Sequence, residues 1–215
     1  MAIYMICNEK GGAGKSSLAQ SLAVYFLRQG KEVLLIDADP QRTTTEWAQE
    51  REEGALPPIS CVEMGGNIRL SLEAMRERYA EVVVDCGGAD SRAMRSALSV
   101  ANVAILPFRP KRRDLKVAPG MAEVIETARA LNPALHVVSV ITQAPTHPNQ
   151  HYRIASAQEL LAGLGLSPIS NFTRNLNAWD DAEESGCSVL EYPEDRKAAE
   201  DAVRVFDEIV EAAHG

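Results

Sequence analysis

The chain predicts an α/β fold: a doubly wound, mostly parallel sheet with helices on both faces. Short, continuous apolar runs at Ala2–Cys7, Glu32–Asp37, Glu81–Asp85, Val103–Pro107 and His136–Thr142 read as strands buried on both sides. Stretches with apolar residues at helical spacing alternate with them, as crossover connections in a parallel sheet require. A glycine-rich stretch, Asn8–Ser17, joins the first strand to the first helix.

The first helix is predicted over Ser16–Gln29, where Leu18, Leu22 and Phe26 recur on one face until Gly30 stops them. Strand, glycine loop and helix together are the setting of a phosphate-binding loop. Glycines let successive backbone N–H groups turn inward as an anion nest, and the helix N-terminus adds partial positive charge. Lys15 is placed to reach the β- and γ-phosphates, and the Ser16 hydroxyl to ligate Mg²⁺. The usual motif has glycine where Glu9 stands, and a second lysine, Lys10, opens the loop. Lys10-Gly11-Gly12-Ala13-Gly14-Lys15-Ser16-Ser17 resembles the deviant Walker A loop of the ParA/MinD group of ATPases. That resemblance implies a P-loop NTPase of the deviant Walker A type, with ATP and Mg²⁺ as cofactors and all eight residues around the nucleotide. It also implies that Lys10 crosses a homodimer interface to the partner's phosphates, a catalytic role beside Lys15.

The second strand ends in Asp37-Ala38-Asp39-Pro40-Gln41, two carboxylates at the carboxyl end of a strand, where ligands bind in open α/β sheets. The element is similar to the D-x-D-P-Q of ParA proteins, which implies that Asp37 sits near Mg²⁺ through water and that Asp39 orients the attacking water. Thr43–Glu53 is expected as a polar helix with Trp47 and Ala48 as its apolar face, ended by Gly54–Pro58. Ile59–Met64 reads as a short edge strand, and Ile68–Tyr79 as an amphipathic helix after Gly65-Gly66. Glu81–Asp85 is a β-branched run ending in acid, a Walker B pattern with Asp85 holding Mg²⁺ through a water. Cys86-Gly87-Gly88 follows, where ParA relatives often carry proline; the glycines allow a loop that moves when the γ-phosphate leaves. Cys86 is read as a small packing residue rather than a cluster ligand, since no set of cysteines accompanies it.

Ser91–Val100 is expected as a short helix, and the strand Val103–Pro107 leads into Phe108-Arg109-Pro110-Lys111-Arg112-Arg113-Asp114. The spacing Pro107-x-x-Pro110-x-x-x-Asp114 resembles the ParA loop at the dimer face near the base, which places Pro107 among the nucleotide contacts. Its basic residues face solvent, the partner subunit, nucleotide or DNA; arginine suits phosphate through its planar fork. Leu115–Leu131 is predicted as one long helix, with Pro119 tolerable only near its first turn. By resemblance the loop at Gln143, after the next strand, contacts the adenine. Helices follow at Ile154–Leu164, Asn177–Ser185 (capped by Gly186) and Arg196–Ala213, with a short strand at Pro168–Phe172. The C-terminal part resembles the ParA region that binds DNA non-specifically, which maps Arg174 to a DNA contact and makes Arg153, Arg196 and Lys197 weaker candidates.

A length of 215 residues suits one domain, and 46% apolar with 24% charged residues is ordinary globular composition. Cys7, Cys61, Cys86 and Cys187 form no C-x-x-C pair, and His136, His147, His151 and His214 have no metal spacing, so reduced thiols and surface histidines are expected. No apolar run reaches the ~20 residues that span a bilayer. A cytoplasmic protein is therefore expected, and the resemblance to ParA proteins implies that it is nucleoid-associated. A net charge of −8 argues against a globally basic DNA coat, yet a local patch suffices for phosphate contacts.

The resemblance covers nearly the whole chain and is to small ParA-type partition ATPases of the ParF kind, beginning at strand one with no room for an N-terminal helix-turn-helix. It implies an ATP-bound dimer that holds DNA non-specifically, and slow hydrolysis stimulated by a ParB-like centromere-binding or adaptor protein. Three rivals share the fold. A MinD-like membrane positioner should end in a basic amphipathic helix, whereas Glu200–Glu211 is acidic. A dethiobiotin-synthetase-like ligase has no need of Lys10. A positioner of other cargo shares every motif.

Overall fold

The computed structural model describes residues 1–54, 56–88 and 91–214. Residue 55 of the expected Gly54–Pro58 break and the side chain of His214 lie outside what is described. The chain runs β1 (Ala2–Ile6), α1 (Lys15–Arg28), β2 (Val33–Ala38), α2 (Thr43–Glu53), β3 (Ser60–Glu63), α3 (Arg69–Arg76), β4 (Glu81–Cys86), α4 (Arg92–Leu98), β5 (Val103–Phe108), α5 (Ala118–Leu131), β6 (His136–Ala144), α6 (Tyr152–Gly163), β7 (Pro168–Arg174), α7 (Ala178–Glu183) and α8 (Arg196–His214).

The strands form a seven-stranded sheet in the order β3-β2-β4-β1-β5-β6-β7, and every pairing is parallel. Alternation along β1 explains the two layers. Ile3 and Met5 point into a core shared with α3, α4, α5 and α6, while Tyr4 and Ile6 point into one shared with α1, α2, α7 and α8. The apolar runs are continuous because both faces are covered. β3 is one edge strand, as its mixed sequence predicts, and β7 is the other.

Differences from the sequence reading fall at element ends. Leu115–Val117 is a 3₁₀ turn and the α-helix proper starts at Ala118, so Pro119 lands in the first turn, where its missing N–H costs nothing. β6 and β7 continue past Thr142 and Phe172 because Ala144 and Arg174 still pair, with register shifts on the way. α7 stops at Glu183, three residues short of Gly186. Gly186 does more than end a helix. Its φ is +64°, and a Cβ there would lie 2.3 Å from the Arg51 backbone nitrogen, so only glycine lets α2 and this turn meet.

β1 is flanked by β4 and β5, so the loops leaving β1, β4 and β5 open at one end of the sheet, where strand order reverses. β2 brings its own carboxyl end alongside β4, with Asp37 opposite Asp85. This is the crevice where ligands sit in such folds.

Candidate nucleotide-binding site

The loop between β1 and α1 is built on a buried asparagine. The Asn8 side chain donates to the Pro107 carbonyl at 2.5 Å and accepts from the Lys10 backbone N–H at 2.9 Å, tying the loop's first turn to β5. Gly12 and Gly14 have φ of +71° and +78°, left-handed conformations that turn successive amides inward. Glu9, which replaces the usual glycine, directs its carboxylate past Gly120 of α5, where a Cβ would stand 3.7 Å from Oε2. On the far side, the Thr142 hydroxyl donates to the Ala13 carbonyl at 2.8 Å and the Gln143 amide to the Gly12 carbonyl at 3.1 Å.

The two lysines have separate environments. Lys15 is buried, and its ammonium donates across the loop to the Lys10 carbonyl at 3.3 Å. Lys10 is half-exposed on the rim, and its ammonium makes no ion pair among the described residues. A cleft of about 620 Å³ lies beside them, lined by the loop, Ser16, Ser17, Asp39, Gly87, Gly88 and Gln143. A smaller recess of about 90 Å³ continues from Gly14 and Ser17 between the ends of β6 and β7, toward Thr173, Asn175 and Trp179.

The carboxylates differ more sharply than their positions in the sequence imply. Asp37 is buried, and its oxygens receive the Asp39 N–H (3.0 Å), the Thr45 N–H (2.8 Å) and the Thr45 hydroxyl (2.9 Å). It therefore anchors the first turn of α2, a task its matched motif did not indicate. Asp85 is fully buried, with Oδ2 accepting from the Thr44 hydroxyl at 2.7 Å and Oδ1 lacking any hydrogen-bond partner among the described residues. Its carboxyl is pushed up to about 7, first by burial and then by Asp37, against the hydrogen bond from Thr44, the nearby Ser16 hydroxyl and the charge of Lys15. A buried, orphaned carboxylate oxygen beside a serine hydroxyl fits a hydrated Mg²⁺ site, because that cation takes one or two carboxylates and supplements them with phosphates and water. Among the described residues there is no group of three or more His, Cys, Asp or Glu that would cage a metal outright.

Asp39 is half-exposed, and its Oδ1 accepts the Gln41 N–H at 2.9 Å. Gly87 leaves room for it, since a Cβ there would come within 3.1 Å of Oδ1; one on Gly88 would press the Glu9 carbonyl and Gly11 amide at 3.4 Å. The loop after β4 thus lies against both Asp39 and the phosphate loop. Cys7 and Cys86 are buried beneath it. Burial pushes the Cys7 thiol up to about 12 and the Cys86 thiol well above its ordinary value, which suits packing residues.

Two sequence expectations need relocating. Pro107 is buried inside β5 and lines neither cleft nor recess; it serves the loop through its carbonyl on Asn8. Arg174 does not present a free guanidinium. It makes a two-pronged ion pair with Asp201 of α8 at 2.7 and 2.8 Å and reaches the Lys197 carbonyl, so it clamps β7 to the last helix. Arg153, Arg196 and Lys197 are exposed. Of the basic loop, Arg109 turns inward: it pairs with Asp114 at 2.9 Å, and its Nη1 lies 3.7 Å from where a Cβ on Gly12 would be.

Sequence reasoning missed Asn8, Thr44 and Thr142, whose polar side chains touch the site only through folding. It also missed Glu183, which accepts from the Ser17 hydroxyl at 2.9 Å and the Gln20 amide at 3.4 Å and lines the cleft with Asp180. Nothing in the local sequence of α7 signals that placement.

Fold and loop together define a P-loop nucleotide-binding protein. Residues 4–173 match the CobQ/CobB/MinD/ParA nucleotide binding domain, and the chain belongs to this family of nucleotide-binding ATPases, as the Lys10 loop anticipated. It is 34% identical over 212 residues to the "Maintenance of carboxysome distribution protein A" of Gloeobacter kilaueensis, spanning 96% of this chain and 93% of that protein. It is 24% identical over 229 residues to the "Protein ParA" of Rhizobium radiobacter, spanning 99% of each. Among solved structures it resembles the cell division ATPase MinD of Pyrococcus furiosus (TM-score 0.76, 16% identity, 98% of each chain), a likeness of fold. Among the described residues no helix is long and apolar enough to cross a membrane.

Proposed function

We propose that the chain is an ATP-switched dimer that positions or partitions cargo along DNA, binding DNA non-specifically when ATP is bound and letting go after hydrolysis. The observation that supports this reading most is the division of labour between the two lysines: Lys15 is buried in its own loop, while Lys10 stands on the rim with no ion pair among the described residues. A rim ammonium can reach a second triphosphate where a buried one cannot, so the γ-phosphate becomes a contact that only the dimer makes.

In this reading the turned-in amides of Gly11–Gly14, with Lys15, Ser16 and Ser17, hold the phosphates, and Gln143 borders the recess that takes the base. Ser16 and, through water, Asp85 hold the Mg²⁺, which neutralises charge on the β- and γ-phosphates. Asp39 orients the attacking water, and the adjoining Gly87-Gly88 segment senses the departing phosphate. DNA is met by exposed cations such as Arg196 and Lys197, with Arg174 left to its clamp. Hydrolysis is slow until a partner protein stimulates it.

The cargo has two readings. Plasmid or chromosome partition follows from likeness to ParA. Distribution of a protein assembly is favoured by the 34% identity to a carboxysome distribution protein. Co-sedimentation with DNA in ATP, ADP and no nucleotide tests what both share. Retention with ATP alone supports the cycle, whereas indifference to DNA in all three states returns the chain to the small-molecule ATP-dependent enzymes of the same fold.

A further inference from the structure

A large groove lies outside the nucleotide cleft just described. It has a volume of about 980 Å³ and runs between the segment 110–119 and helix α6. Its floor is apolar: Leu115 and Leu164 are half-buried, Ala157 is buried, and Leu160 is 42% exposed. Tyr152, 64% exposed, stands at one end with the Arg153 guanidinium 5.9 Å from its ring centre. Around this floor stand Lys111, Arg112, Lys116 and Arg153, all exposed and without an ion pair among the described residues. No described aspartate or glutamate lines the groove, in a chain whose net charge is −8.

We propose that this groove docks an acidic amphipathic segment of a partner protein, leucine-type side chains on the floor and carboxylates against the four cations. Charge complementarity selects acid: an uncompensated cluster of this kind on an acidic protein attracts an anionic partner and repels copies of itself only locally. The floor selects a peptide over nucleic acid, because phosphate and sugar gain nothing from exposed leucine, whereas an amphipathic helix lays its apolar stripe in such a groove.

The groove also has a line to the nucleotide loop. Arg109 directly precedes its lining residue Pro110 and packs against Gly12, while its partner Asp114 directly precedes Leu115. A segment gripping Lys111, Arg112 and Leu115 therefore holds the Arg109–Asp114 pair from its outer side. This deepens the reading of a partner-stimulated ATPase and rests on it for the consequence, though the docking itself does not require turnover.

The test uses the full chain and a labelled peptide of about sixteen residues with Leu at helical i, i+3, i+4, i+7 spacing and Glu elsewhere. Its controls are a scrambled peptide of equal composition and a labelled duplex oligonucleotide, with binding read by fluorescence anisotropy. The amphipathic peptide should bind at least tenfold more tightly than the scrambled one. Lys111→Glu/Arg112→Glu and the exposed-site Leu160→Asp should each weaken it by tenfold or more, the former with loss of salt dependence. Equal affinity for the two peptides overturns the proposal. So does binding that Leu160→Asp leaves unchanged, checked with Lys116→Glu on protein of wild-type thermal stability. If the double charge reversal costs duplex binding while the peptide never binds, the surface is a nucleic-acid face and the peptide assignment is wrong. ATPase assays with and without peptide then separate docking from stimulation: docking without any hydrolysis, basal or stimulated, sinks the ATPase cycle and spares the groove.

Discussion

Asp85→Asn isolates the cost of keeping a carboxylate in a dry pocket. In the nucleotide-free protein its carboxyl stands at about 7 against an ordinary 3.8, chiefly because it is buried. Each pKa unit corresponds to about 1.4 kcal/mol, so ionised Asp85 at pH 8 costs the fold roughly 4 kcal/mol. The sign follows from proton counts. Between about 4 and 7 the folded chain binds more protons here than the unfolded chain, so stability falls as pH rises through that window. Asparagine has the same shape, carries no charge, and its carbonyl can still accept from Thr44. Without Mg²⁺ or nucleotide, the variant should therefore be more stable than wild type at pH 8 by about 2–4 kcal/mol, or roughly 8 °C in a domain of this size. At pH 5 the difference should shrink to below about 2 kcal/mol, and it should close only below about pH 4, where the unfolded carboxyl is protonated as well. With Mg²⁺ and ATP the order should reverse, since the cation stabilises the charged form and the variant has lost its anchor. Thermal unfolding at the two pH values, with and without Mg·ATP, measures all of this. A variant less stable than wild type at pH 8 without ligand, or a gap that ignores pH, would refute the assignment of Asp85 as the strained, metal-awaiting group.

The other expectations concern separate parts of the molecule. Gly186→Ala places a Cβ 2.3 Å from the Arg51 nitrogen at a φ of +64° and should cost about 3 kcal/mol or more in urea unfolding; a loss below 1 kcal/mol would mean α2 does not press on that turn. Arg174→Ala breaks the pair with Asp201 and should lower stability by about 2 kcal/mol while leaving DNA retention per folded molecule unchanged, and the opposite pattern would return Arg174 to the DNA face. Lys15→Ala should abolish ATP binding, whereas Lys10→Ala should retain it and fail to dimerise in light scattering with ATP; a normal ATP dimer in the second variant removes the cross-subunit role. Asp39→Ala should bind ATP and dimerise but not turn over, and wild-type phosphate release would show that the water is oriented elsewhere.

Much of the fold was legible because its signals are local. The continuous apolar run at Glu32–Asp37 and the β-branched run at Glu81–Asp85 read as two-sided strands, and the sheet buries the strands Val33–Ala38 and Glu81–Cys86 throughout. The glycine spacing of Gly11, Gly12 and Gly14 needs no tertiary information, since left-handed turns are a property of the residues themselves. Pro119 had to fall near the first turn of α5, as it does, but the helix was expected from Leu115 and starts three residues later at Ala118, because Leu115–Val117 closes as a 3₁₀ turn.

What only the tertiary structure decided is how each polar group is spent. Asp37 and Asp85 both close an apolar strand and look alike in sequence. Folding gives the first three protein donors and leaves one oxygen of the second without a partner among the described residues. Arg174 and Arg153 are both arginines in polar surroundings, yet α8 brings Asp201 to one and a groove to the other. Five clustered positions from Arg109 to Arg113 read as a single basic loop, until packing turns Arg109 onto Gly12 and leaves Lys111 and Arg112 outward. Periodicity and backbone preference are encoded over a few neighbouring residues, so the chain alone determined its strands, its helices and its phosphate loop. Charge pairing and desolvation depend on partners that can lie more than a hundred residues away, as Glu183 does from Ser17, and only the folded sheet with its covering helices determines which of them arrive.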